Sequence, residues 1–200
     1  MNVVNRLLRG LTETGVISQI NPPENTNEAR ELTPRELIIE AFVEEERTYV
    51  FQLELLQALK LSVERGSITG DAIHATFFSL DVLVDFQRRF LIRVEMMRAQ
   101  PPTKQDWGQL FASGKDTFWV YEQYIVNERR FKEVLVREFE KVKEVGGESL
   151  EIQKIVKSPV RLISMLSGPS QRLVKYCKLL DVRLSSAKFL EPICLPLARI

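Results

Sequence analysis

Thr33, Pro34, Arg35 and Glu36 form the start signal that most restricts how this chain folds. A threonine suits the N-cap, a proline suits the first helical position, and a glutamate three residues after the cap completes a capping box. The spacing predicts a long helix from there to about Glu64, ending at "RGSITG". Positions 39, 42, 46, 49, 53, 56, 60 and 63 form a line with alternating steps of three and four. Six of them are apolar: Ile39, Phe42, Tyr49, Leu53, Leu56 and Val63. Glu46 and Lys60 are the exceptions. Val50, Phe51, Leu55 and Leu59 widen the apolar surface, so the helix is expected to pack on two sides. An acid on such a stripe is paired, at the rim, or reserved for a partner.

The rest of the chain repeats the helical period, and strand signals are scarce. Val3, Val4, Leu7, Leu8 and Leu11 suggest a short amphipathic helix, followed by the polar linker "NPPENTNEARE". A second helical region spans about Asp71 to Arg98, with a break near Ser79. After the loop "QPPTKQD", Thr103 and Asp106 are placed to cap a helix on which Trp107, Phe111, Phe118, Tyr121 and Ile125 share one face. A further helix is expected over about Asn127 to Val145, stopping at Gly146-Gly147, and a last helical region begins near Leu150. The architecture these elements imply is all-α, an elongated multi-helix bundle. Its divisions are residues 1–32, a short helix and linker, residues 33–184, the bundle, and residues 185–200, a proline-containing tail.

Chemistry is mostly excluded. His74 is the single histidine, which leaves no His-based triad or metal cluster. The three glutamates at 44–46 point in different directions around a helix and make no acid/base pair. Phosphate-binding and dinucleotide fingerprints are absent, so no catalytic, cofactor or metal residues are assigned. Cys177 and Cys194 lack metal-ligand spacing and suggest no disulfide framework, which fits a reducing, cytoplasmic compartment. Between Lys154 and Lys188, eight basic residues accompany one acid, a local +7 within an overall +1. Such a tract suits acidic protein, lipid or nucleic acid. The aromatic residues do not interleave with it, which argues against nucleic acid.

Three stretches in order, "IIEAFVEEERTYVFQLELL", "DFQRRFL" with "WGQLFASGKDTFWVYEQY", and "LISMLSGPSQRLVKYCKLL", resemble the Dbl-homology domain. That domain is the exchange module for Rho-family GTPases, and the wording is most like fungal polarity factors acting on the Cdc-type member. The resemblance covers about residues 35 to 184. It implies a guanine nucleotide exchange factor with no bond-making chemistry of its own. Glu46 would engage switch I of the GTPase. Gln171 and Lys175 would engage switch II, with Val174 and Lys178 on the same outward flank. Recruitment to the cell cortex, indirect membrane contact and self-association through exposed apolar surface are further expectations. The alternative is a non-catalytic helical scaffold that holds a GTPase or an acidic membrane without exchange.

The chain departs from the family text in its third stretch. Gly168, Ser170 and Cys177 stand where Lys, Val or Ile, and Pro are common. Pro192 and Pro196 prevent a long regular helix in "SSAKFLEPICLPLARI", so the family's final long helix is expected to be missing.

Overall fold

A computed structural model describes residues 31–66, 79–113, 117–145 and 149–179, with isolated positions at 71, 74 and 77. The chain divides into two compact units, Met1–Leu32 and Thr33–Ile200. Almost all of the first unit, and the tail with Pro192 and Pro196, lie outside the described residues.

Seven α-helices and one 3-10 turn make up the described part of the second unit, and no strand occurs among its described residues. We number the helices α1 (Pro34–Glu64), α2 (Leu80–Arg98), α3 (Trp107–Ala112), α4 (Trp119–Val145), α5 (Leu150–Ile155), α6 (Pro159–Leu166) and α7 (Gly168–Leu179). The all-α expectation holds.

The start of α1 forms as its residues dictate. Thr33 accepts from the Glu36 backbone N–H, and the Glu36 carboxylate accepts from the Thr33 N–H at 2.8 Å. Its stripe is buried from Ile39 through Val63, with Val43, Val50 and Leu59 widening it. Phe51 does not join them; its side chain is 52% exposed. Lys60 sits at the rim and pairs with Asp81 of α2 and Glu64.

The break near Ser79 is real: its φ of 58° is left-handed, and α2 starts at the next residue. Two corrections concern the middle of the chain. Asp106, not Thr103, caps α3, accepting from the Gln109 N–H at 2.8 Å, while Thr103 lies in the 3-10 turn. The aromatic row from Trp107 to Ile125 is split between α3, α4 and, with Phe118, the turn just before α4, and α4 runs unbroken through the expected start at Asn127. Cys177 is disulfide-bonded, against the reading of the two cysteines as reduced thiols.

Trp107, Phe42, Phe90, Phe111, Phe118, Tyr121 and Tyr176 pack in one core, mostly edge to face. Edge-to-face pairs at such spacings add roughly 0.5–1.5 kcal/mol each beyond burial. Tyr176 brings α7 into this cluster, so the core itself fixes how α7 is turned.

Candidate functional site

Helix α7 opens on Gly168-Pro169, poor helix formers that here cost little. Pro169 is in the first turn, where its missing N–H has no intrahelical partner to lose. Ser167 ends α6 by donating its N–H to Ile163, and its own carbonyl accepts from the Gln171 N–H. The chain therefore passes from α6 to α7 with hardly a break. Along α7, Pro169, Arg172, Leu173 and Tyr176 are buried, while Gln171, Val174, Lys175 and Lys178 are exposed. The outward flank expected of these four residues is thus present.

Two grooves open between α1 and α7. One, of about 380 Å³, is lined by Glu44, Glu45, Thr48, Gln52, Gly168 and Gln171 among others. The second, of about 590 Å³, is lined chiefly by Leu37, Ile38, Phe42, Tyr176 and Leu179. Ala41, Glu45, Arg172 and Lys175 line both, so a bridge of charged side chains divides them. Glu45 Oε2 accepts from Arg172 Nη1 at 2.8 Å and from Lys175 Nζ at 3.3 Å.

Glu46 is not on that surface. It is 0% exposed, because the 100° step between helical neighbours turns it into the core while Glu45 faces the groove. Where the resemblance gives Glu46 the contact with switch I, the structure turns its carboxylate into the core and sets Glu45 at the groove. Glu46 Oε2 accepts from Arg172 Nε at 3.1 Å and Nη2 at 2.5 Å. Its Oε1 accepts from the Tyr176 hydroxyl at 2.5 Å and from Gln87 Nε2. Gln87 Oε1 in turn accepts from the Tyr121 hydroxyl at 2.7 Å, and Tyr121 lies 3.3 Å from the Tyr49 hydroxyl. Among the described residues no buried side-chain nitrogen or oxygen lacks a partner. Arg172 also lies over the rings of Phe42, Tyr49 and Tyr176, at 5.1 to 5.8 Å from their centroids.

The electrostatics follow the geometry. Burial raises the Glu46 carboxyl above the usual range, even against the opposing pull of Arg172, Tyr176 and Gln87. Burial works against the Arg172 charge too, but the Glu46 carboxylate outweighs it and the guanidinium is held more firmly protonated. Glu45 goes the other way: its slight burial is overcome by Arg172 and Lys175, and its carboxyl is lowered. The phenols of Tyr49, Tyr121 and Tyr176 are raised, first by burial, and stay protonated donors.

Six members of this constellation, Glu45, Tyr49, Gln87, Tyr121, Arg172 and Tyr176, were absent from the sequence-based site. Gln87 carried a signal: it is the polar member of the apolar stripe Leu80, Leu83, Val84, Gln87, Phe90 and Val94. Glu45 carried none: the stripe sets it beside the inward-facing Glu46, but the groups of α7 that meet it are not written along α1.

Residues 38–186 match the family model of the RhoGEF domain. Cell division control protein 24 of Saccharomyces cerevisiae is 33% identical over 140 residues, covering 70% of this chain and 16% of that protein. The Rho guanine nucleotide exchange factor scd1 of Schizosaccharomyces pombe is 27% identical over 162 residues, 80% of this chain and 18% of that protein. The chain thus spans less than a fifth of the length of either fungal relative. A solved structure of the Vav1 exchange factor shares the fold, with a TM-score of 0.65 and 21% identity over 82% of this chain and 46% of that one. No described helix is long and apolar enough to cross a membrane. The family match, extending over most of the bundle, makes this chain a member of the RhoGEF (Dbl-homology) domain family.

Proposed function

We propose that this chain promotes GDP release from a Rho-family GTPase by gripping its two switch regions along the α1–α7 face. The observation that carries the reading is the exposed set Gln171, Val174 and Lys175, on one side of α7 beside Glu45 of α1. Gln171 donates and accepts, which suits the backbone of a mobile switch. Lys175 offers a charge, and Val174, 41% exposed, offers an apolar contact between them. The module makes and breaks no bond. It accelerates exchange by binding the emptied conformation of the GTPase more tightly than the GDP-bound one. The resemblance to fungal polarity factors supports a Cdc-type GTPase as the partner, reached from the cytoplasm at the cell cortex.

The test is release of fluorescent GDP from a panel of Rho-family GTPases. Acceleration by the chain, lost in a folded Lys175→Glu variant, is the expected result. A folded parent chain without acceleration, or full acceleration by the folded variant, rejects the reading.

A further inference from the structure

Arg172 is shared between two acids in different surroundings. Its Nε and Nη2 turn inward to Glu46, which is fully buried, and its Nη1 turns outward to Glu45 at the groove. The inward half is fixed by groups that no partner could touch. Tyr121 donates to Gln87 Oε1, so the Gln87 amide can present only its nitrogen to Glu46 Oε1 and to the Tyr176 hydroxyl at 2.9 Å. Gln87 and Tyr176 together occupy Oε1, leaving Oε2 to Arg172. With two of its nitrogens held there, Arg172 has one left for Glu45, and Lys175 closes on the same Glu45 oxygen.

We propose that Tyr121 and Gln87 are positioning residues for the exchange face, acting through Glu46 and Arg172 to fix where Glu45 and Lys175 stand at the groove. The inference rests on the exchange reading above and extends it to residues inside the core. An all-apolar core would hold the helices together equally well. What it would not supply is a guanidinium oriented from within and emerging at the surface. Without the Tyr121 hydroxyl, the Gln87 oxygen loses its donor and the amide is held less firmly against Glu46. Glu46 then relies more heavily on Tyr176 and Arg172, its remaining donors, and draws Arg172 inward, away from Glu45.

The test compares Tyr121→Phe, which removes only a hydroxyl, and Gln87→Met, which keeps the volume, each alone and combined with Lys175→Met. Both are measured at a temperature where circular dichroism shows them folded. GDP release is followed with increasing GTPase, and the Glu45 carboxyl is titrated by carbon NMR. The expected result is a roughly tenfold lower kcat/KM in the single variants and little further loss once Lys175 is gone, because the two changes act through one contact. The Glu45 titration moves up toward its ordinary value. Equal losses in both backgrounds, or no loss, with Glu45 unmoved, mean that the network only stabilises the fold and overturn the proposal. If the parent chain itself gives no exchange, the exchange reading fails separately. The Glu45 titration then still decides whether the core positions the surface pair.

Discussion

Arg172 Nη2 and Glu46 Oε2 are 2.5 Å apart inside the bundle, although 126 positions separate the two residues in the chain. This pair joins the first and last described helices across the core. Removing one partner leaves the other buried without compensation, which typically costs about 3–5 kcal/mol. Arg172→Met is therefore expected to lower the urea midpoint strongly, and Arg172→Met with Glu46→Leu to recover much of the loss. The sign with pH is also fixed. An acid whose folded pKa is raised favours the folded state below its unfolded value and loses that contribution as pH rises through the folded one. Burial raises Glu46 already, and loss of Arg172 raises it further. The single variant should consequently approach the parent in stability on acidification. A midpoint within error of the parent at neutral pH would mean that the pair carries no such load.

Glu45 behaves oppositely. Its carboxyl lies below the ordinary 4.5, since Arg172 and Lys175 outweigh its slight burial. Such a group stabilises fully above its unfolded value and loses that contribution as pH falls through the folded one. Glu45→Gln should cost no more than about 1 kcal/mol at neutral pH, because Glu45 and Lys175 are exposed and screened and Arg172 keeps its bonds to Glu46. Denaturation at several pH values should show the gap between parent and variant closing below about pH 4. A gap that widened in acid would contradict the assignment.

Gly168 is not required by the backbone. It lacks a positive φ, and an added Cβ would lie 3.8 Å from Tyr49 Cε2, an ordinary contact. Gly168→Ala should stabilise the bundle by about 0.5 kcal/mol through reduced freedom of the unfolded chain. Thermal denaturation would register a small rise in Tm. A fall would mean that the crowding against Tyr49 dominates.

Val174 separates folding from binding. Exposed on α7 and away from the buried network, it should accept Asp with a stability change within about 0.5 kcal/mol. Burying that carboxylate against a GTPase should weaken association more than tenfold. Calorimetric binding of the nucleotide-free GTPase checks this, and unchanged affinity would remove Val174 from the interface.

Local rules account for much of what the structure shows. The capping box set the start of α1, and the three-four line named seven of its ten buried residues. Ser79 marked the break before α2, and the outward flank of α7 came with the family resemblance. Phe51 misled because apolar character says nothing about which neighbour is present to cover it. The continuity of α4 was missed for a similar reason: its polar stretch from Asn127 to Arg130 reads as a start, but packing of Tyr124 against Phe131 carries the helix through.

The placement of Glu45 and Glu46 belongs to the second kind of information. Both are glutamates on one helix, and the sequence by itself determined that helix, its phase, and the presence of an acid on its apolar stripe. How the acid on that stripe is tolerated in the core, and in what state, was decided by partners on other helices: Gln87 on α2, Tyr121 on α4, and Arg172 and Tyr176 on α7. Helical periodicity is a property of neighbours along the chain. A buried charge is tolerated only where distant groups converge on it, and that convergence exists only in the packed bundle.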